Sequence, residues 1–139
     1  MALSTAMVDR RILEVLHQRV REEAVVAIHG PRSVGKSTVL ADFAAARGVP
    51  VIDFDDPAIR DAALANPSLI VGGQAPVCID EYQKAPEILD AVKARLNRER
   101  TRPGTAVLTG STRQDAIPRT AQSLTARLHT LTLLPLSQG

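Results

Sequence analysis

Short apolar runs alternate along the chain with segments in which apolar residues recur at helical spacing. The runs have the length of buried strands and end near Gly, Pro or polar residues, which is typical of a parallel sheet covered on both faces. They predict strands at residues 24–28, 50–54, 77–79, 105–108 and 129–134. Helices are predicted at about residues 8–20, 36–46 and 57–64, and after Pro86. This alternation predicts a three-layer α/β sandwich with a mainly parallel sheet of about five strands.

The composition agrees with one globular domain that has an aliphatic core. The chain has 139 residues, of which 45% are hydrophobic, 23% charged and only 2% aromatic. A net charge of +2 is too small to indicate nucleic acid by itself. The single cysteine excludes an internal disulfide, the apolar runs are too short to cross a bilayer, and the N-terminus lacks a signal-peptide pattern. We therefore expect a cytoplasmic protein without a membrane contact.

The most informative segment follows the first predicted strand. Residues 30–37 have the pattern Gly-x-x-x-x-Gly-Lys-Ser between a strand and a helix, which is the context of a phosphate-binding loop. Glycines let backbone N–H groups turn towards phosphate oxygens, and the following helix N-terminus adds partial positive charge. Lys36 is predicted to reach the β- and γ-phosphates, Ser37 to bind Mg²⁺, and Thr38 to support an α-phosphate contact. The predicted phosphate-binding residues are Gly30, Pro31, Arg32, Ser33, Val34, Gly35, Lys36, Ser37 and Thr38.

Two carboxylates, Asp80 and Glu81, follow the third predicted strand. Nucleotide hydrolases with such a loop place an Asp beside Mg²⁺, and an adjacent Glu can polarise the attacking water. Consecutive residues at a strand end point in different directions, which allows two roles. We therefore predict Asp80 as a metal ligand with Ser37, and Glu81 as the catalytic base. Without the upstream loop, a solvated strand end would be the simpler interpretation.

Hydroxyl side chains follow the fourth predicted strand, at Thr109 and Ser111. They would emerge at the carboxyl edge of the sheet, where open α/β sheets bind ligands. A contact with the γ-phosphate or the attacking water is predicted for them, and an ordinary strand-to-turn transition is the alternative. His29, just before the loop, is expected to pack or form a hydrogen bond rather than to catalyse.

Two other features have a structural interpretation. Cys78 lies inside an apolar strand and is expected to be an inert buried thiol. Four arginines near the end of the helix after Pro86 are expected to be a solvated helix end, since no aromatic residues are interleaved with them to indicate nucleic acid. They are Arg95, Arg98, Arg100 and Arg102.

Several segments of the chain resemble the AAA-like P-loop ATPases of bacteria and archaea that usually carry a C-terminal domain of unknown function. The likeness rests on the phosphate loop, the acidic turn at residues 53–57, residues 79–86 with the segment Asp80-Glu81-Tyr82-Gln83, and the closing stretches at residues 108–111, 124–127 and 133–137. It implies the additional-strand type of P-loop fold, in which the Asp-Glu strand is not adjacent to the loop strand. It also implies ATP as the nucleotide, and the chain has no Asn-Lys-x-Asp segment of the kind that binds guanine.

The resemblance also concerns Arg127 and the length of the chain. Arg127 is a predicted source of positive charge for the γ-phosphate, in its own subunit or a neighbour's, and a helix-end arginine in water is the alternative. The family usually has Gly before this arginine, where this chain has Ala126. Apolar residues at helical spacing predict a leading amphipathic helix in residues 1–22. Because family members continue past the Pro-Leu-Ser segment, residues 23–139 are expected to form an ATPase core that lacks a downstream lid and C-terminal domain.

The predicted function is therefore a Mg²⁺-dependent ATPase, weak in this form, that drives a conformational switch in a larger protein. A second copy of the chain or a partner protein is expected to associate with it. Two alternatives stay open: a small-molecule phosphotransferase, and a nucleotide-gated interaction module with little turnover. The adjacent Asp80 and Glu81 favour water as the acceptor over a small molecule.

Overall fold

A computed structural model describes residues 2–30, 35–110 and 128–132 of the chain. The helices are α1 (Ala2–Glu22), α2 (Lys36–Arg47), α3 (Pro57–Ala65), α4 (Pro67–Val71) and α5 (Ile88–Arg98). The strands are β1 (Val25–His29), β2 (Val51–Asp53), β3 (Val77–Asp80), β4 (Ala106–Gly110) and β5 (Leu128–Thr132). A 3-10 turn at Tyr82–Lys84 follows β3.

The five strands form one parallel sheet in the order β2-β3-β4-β1-β5. The predicted α/β fold is thereby confirmed. Strand β4 lies between β1 and β3, so the strand that ends in Asp80 is not adjacent to the strand that leads into the phosphate loop. This is the arrangement expected of the additional-strand type. Because all strands run in one direction, their carboxyl ends meet at a single edge of the sheet.

An apolar core lies on each face of the sheet, which gives the three layers. On one face, Leu16 and Val20 of α1 pack with Val39, Leu40 and Phe43 of α2. On the other face, α3, α4 and α5 cover the sheet, with α5 contributing Ile88, Leu89, Val92 and Leu96. Helix α1 therefore contributes to the same core as α2, which follows the predicted phosphate loop.

The helix boundaries follow from a few local contacts. Gly48 ends α2 in a left-handed conformation, with its N–H directed to the carbonyls of Ala44 and Ala45. Asp56 caps α3 by accepting the amide of Ala58 at 2.9 Å, and Pro57 occupies the first turn. The short helix α4 was not predicted from the sequence. Asn66 caps it by accepting the amide of Leu69 at 3.3 Å.

The expectation of a solvated arginine cluster is wrong for Arg95. This side chain is only 9% exposed. Its Nη1 donates to the carbonyl oxygens of Val71 at 2.7 Å and Gly73 at 2.8 Å, and its Nε donates to Glu99. Arg95 therefore ties α5 to the end of α4, whereas Arg98, Arg100 and Arg102 are exposed.

Candidate functional site

The two ends of the predicted phosphate loop lie at the carboxyl edge of the sheet. Strand β1 ends at His29, next to Gly30, and Gly35 immediately precedes α2. Gly35 has φ 87° and ψ 22°, a left-handed conformation that side chains disfavour. The first N–H groups of a helix have no acceptor within the helix, and Gly35 offers no side chain to cap them. The start of α2 is therefore suited to an anion.

Lys36 begins α2 and is buried, with 2% of its surface exposed. A buried ammonium group requires nearby acceptors or anions, because its desolvation is costly. The positive charge of Lys36 also acts on His29, at the end of strand β1. Burial first, and then the positive charge of Lys36, lowers the pKa of His29. The site therefore places one buried positive charge at the start of the helix, beside a histidine that stays neutral near pH 7.

Ser37, at the start of α2, and Asp80, at the end of β3, are in contact at the carboxyl edge of the sheet. The Ser37 Oγ donates to Asp80 Oδ2 at 2.8 Å, and Asp80 is 8% exposed. A hydroxyl and a carboxylate side by side at a helix N-terminus form a pair of oxygen ligands of the kind that Mg²⁺ prefers. The two residues that the sequence predicted as metal ligands are thus in direct contact.

Thr109, at the end of β4, joins the two carboxylate residues. Its hydroxyl donates to Asp80 Oδ1 and accepts the backbone amide of Glu81 at 3.2 Å. Thr109 has no exposed surface. A direct contact of Thr109 with a γ-phosphate stays a prediction, but here its hydroxyl hydrogen is directed to Asp80.

Glu81 is 4% exposed and has φ 59° and ψ 49°. This left-handed conformation turns the chain sharply after β3, so that Glu81 and Asp80 leave the strand in different directions. Gln83 donates its side-chain amide to Glu81 Oε1. The predicted catalytic base is therefore held at its amide by Thr109 and at its carboxylate by Gln83.

Residues 22–139 match a family model that is described as an AAA domain. The chain belongs to the AAA domain family. No curated protein shows significant similarity to the chain. Membership of this family gives the AAA domain a nucleotide-binding, ATPase-like function. It agrees with a site that places a buried lysine, a hydroxyl and two carboxylates around the start of one helix.

Some predicted residues of the AAA domain lie outside the described residues. They are Pro31, Arg32, Ser33 and Val34 of the phosphate loop, together with Ser111 and Arg127. Within the described part of the site, Gly30, Gly35, Lys36 and Ser37 lie at the two ends of the loop, and Thr38 is exposed on the first turn of α2. In the ranges that the structure describes, no helix is long and apolar enough to cross a membrane.

Several neighbours of Glu81 in the AAA domain were not predicted from the sequence. Tyr82 contacts His29, Gln83 contacts Glu81, and Lys84 forms an ion pair with Asp55 in the acidic turn after β2. Their position directly after Glu81 was the available indication, because residues next to a strand end share its edge of the sheet. The contact of His29 with Tyr82 agrees with the hydrogen-bonding role expected for His29.

Proposed function

We propose that this AAA domain binds ATP with Mg²⁺ and hydrolyses it, and that hydrolysis drives a conformational switch in a larger protein. The observation that carries the proposal is the 2.8 Å contact between Ser37 Oγ and Asp80 Oδ2. It brings the hydroxyl of the phosphate loop and the carboxylate of the acidic strand to one point, although they come from opposite sides of β4. The sequence pattern of the loop alone would not require Ser37 to contact Asp80.

Phosphate binding is assigned to the start of α2. The backbone N–H groups there, together with Lys36, supply positive charge for the phosphate oxygens. In the folded chain Lys36 is already withdrawn from bulk water, so its attraction for an anion is weakened less by solvent than that of a surface lysine would be. Pro31, Arg32, Ser33, Val34 and Thr38 complete the proposed phosphate contacts.

Mg²⁺ binding is assigned to Ser37 and Asp80. Within the described residues, no group of three His, Cys, Asp or Glu side chains is placed to hold a metal by itself. Mg²⁺ commonly binds through only one or two protein oxygens, with phosphates and water completing its shell, and the Ser37–Asp80 pair fits that pattern. When bound, the ion would neutralise negative charge on the phosphates.

Water activation is assigned to Glu81. Its carboxylate is buried beside Asp80 and oriented by Gln83, so it is held ready to accept a proton from a water molecule. Thr109 keeps the amide of Glu81 and the carboxylate of Asp80 in a fixed relation. Ser111 and Arg127 are proposed as further contacts to the γ-phosphate.

Two other functions of the same site would have different kinetics. A small-molecule phosphotransferase would transfer phosphate to an added acceptor, and a nucleotide-gated module would bind ATP with almost no turnover. The buried Glu81 next to Asp80 favours hydrolysis over both. A module that only binds ATP would not need a buried carboxylate that is aligned by a side-chain amide.

Phosphate release tests the proposal. The protein should release phosphate from ATP in a Mg²⁺-dependent way without any added acceptor. Glu81→Gln should keep the affinity for ATP and lose about a hundredfold or more in turnover. Dependence of phosphate release on an added acceptor would support the phosphotransferase. Binding without single-turnover hydrolysis in the unsubstituted protein would support the binding module.

A further inference from the structure

The conformation of Glu81 needs support from both of its sides. A left-handed backbone costs a non-glycine residue free energy and persists only where neighbours enforce it. Thr109 holds the amide of Glu81. On the other side, the 3-10 turn Tyr82–Lys84 follows Glu81, and the amide of Lys84 donates to the Glu81 carbonyl at 3.1 Å. The position of Glu81 therefore depends on what anchors that turn.

Tyr82 is the anchor of the turn. It is 3% exposed, and its hydroxyl lies 2.8 Å from Nε2 of His29. The two rings are stacked, with centroids 5.8 Å apart. Gly110 makes room for the phenol ring, because a Cβ at that position would lie 2.8 Å from Cε1 of Tyr82. His29 and Gly110 are direct partners in the parallel register of β1 and β4, so one side chain touches both strand ends.

His29 connects this anchor to the phosphate loop. It is the last residue of β1 and directly precedes Gly30, where the predicted loop begins. Its ring is buried, and its Nδ1 makes no hydrogen bond within the described part of the chain. The contact with Tyr82 is therefore the polar link between the end of the loop strand and the segment that carries Glu81.

We propose that the contact between Tyr82 and His29 sets the position of Glu81 relative to the phosphate loop, so that both are positioning residues for ATP hydrolysis. The inference rests on the proposed function. Tyr82 and His29 act through Glu81 and need not touch the nucleotide. Gln83, the next residue of the same turn, then aligns the Glu81 carboxylate.

The test removes only the phenol hydroxyl, with the full chain and Mg²⁺-ATP. Tyr82→Phe should lower kcat by about five- to tenfold, the equivalent of one buried hydrogen bond, and leave the Kd for ATP within about twofold. Thr105→Val is the matched control. Its hydroxyl is also buried and donates to the Arg102 carbonyl at 2.7 Å, but at the opposite edge of the sheet. It should lose stability and keep kcat.

A double variant separates positioning from a general structural effect. In the Glu81→Gln background, Tyr82→Phe should cause no further loss in single-turnover hydrolysis, because the residue it positions is already inactive. An unchanged kcat in Tyr82→Phe, a loss that persists in the Glu81→Gln background, or a weakened Kd with normal kcat would each overturn the inference. Absence of Glu81-dependent hydrolysis in the unsubstituted protein would instead overturn the proposed function, and the positioning role with it.

Tyrosine fluorescence tests the contact without nucleotide. The chain has one Tyr and no Trp, so its intrinsic emission comes from Tyr82. With the His29 proton on Nδ1, Nε2 accepts the Tyr82 hydroxyl, and such an acceptor quenches phenol emission by taking the proton in the excited state. His29→Leu should therefore raise the emission of the nucleotide-free protein, while His17→Leu, whose histidine packs against Phe43, should leave it unchanged. Equal emission from the unsubstituted protein and His29→Leu would contradict the proposed link.

Discussion

Ser37 Oγ lies 2.8 Å from Asp80 Oδ2, although the two residues are 43 positions apart in the chain. The contact exists because β3 and the loop that follows β1 both reach the carboxyl edge of one parallel sheet. It joins the start of α2 to the end of β3.

Asp80→Asn should weaken the dependence of ATP binding on Mg²⁺. The amide oxygen of Asn can still accept a hydrogen bond from Ser37, but the negative charge that favours a divalent cation is lost. Titrations of ATP with Mg²⁺ and with EDTA measure the difference in affinity. The ratio of the two affinities should fall towards one. Asp90→Asn on the exposed face of α5 serves as the control and should leave the ratio unchanged. An unchanged ratio of the two affinities in Asp80→Asn would show that this carboxylate does not bind Mg²⁺.

Thr109→Val should cost both stability and turnover. The substitution keeps the shape of the side chain but leaves the buried Glu81 amide without its acceptor, which should lower the free energy of unfolding by about 1–3 kcal/mol. Thr109→Ser keeps the hydroxyl and should retain most of the activity. Denaturant unfolding and phosphate release measure the two effects. Normal turnover in Thr109→Val together with a loss in Thr109→Ser would show that the methyl group, rather than the hydroxyl, is what matters.

Arg95→Met should destabilise the domain without changing nucleotide affinity. The substitution leaves the carbonyls of Val71 and Gly73 without their charged donor and should lower the free energy of unfolding by about 2–3 kcal/mol. Arg98→Met, at an exposed position of the same helix, is the matched control and should change stability little. Urea unfolding of the two variants measures the difference in their free energies of unfolding. Equal stabilities would mean that Arg95 is as replaceable as a surface arginine.

Stability should fall on mild acidification because of two histidines. Burial first, and then Arg47 and Arg21, lowers the pKa of His17, while burial and Lys36 lower that of His29. Below the unperturbed pKa of 6.5 the unfolded chain therefore binds more protons than the folded one. Their contribution should be complete above about pH 6.5 and be lost as the pH falls towards the lowered folded-state pKa values.

Thermal unfolding at a series of pH values measures this loss. In the folded protein, His17 Nδ1 accepts a hydrogen bond from Arg47 Nε at 3.3 Å, which a protonated imidazole could not do. His17→Phe should therefore flatten part of the decline, because the substitution removes one of the two groups. If stability declined by the same amount in a variant that lacks both His17 and His29, other residues would be responsible for the decline.

The sequence predicted those parts of the fold that depend on local chemistry. The strand positions followed from short apolar runs, and the helix positions followed from apolar residues at helical spacing. That β3 is not adjacent to β1 was implied by family resemblance, whereas the position of β4 between them was not predicted. Spacing cannot supply it, since parallel strands are joined through crossovers and need not pair in chain order.

Most of the missed contacts join distant positions. His29 and Tyr82 are 53 residues apart, and nothing in either residue type indicates that they meet. Arg95 was predicted as a surface charge because its carbonyl partners lie at the end of the unpredicted helix α4 and just after it. The contact between Ser37 and Asp80 was predictable because both residue types are required by the same chemistry.

ATP binding by Lys36 variants tests whether the loop and the buried lysine form a nucleotide site. A fluorescent ATP analogue is titrated with Mg²⁺ against the unsubstituted protein, Lys36→Ala and Lys36→Met, with Lys93→Ala on α5 as the control. Loss of a charge-assisted contact should weaken the affinity of both Lys36 variants by about tenfold or more, equivalent to roughly 1.5–3 kcal/mol. Lys93→Ala should bind like the unsubstituted protein. Equal affinity in all four proteins would contradict a phosphate-binding role for Lys36 and, with it, the proposed ATP site.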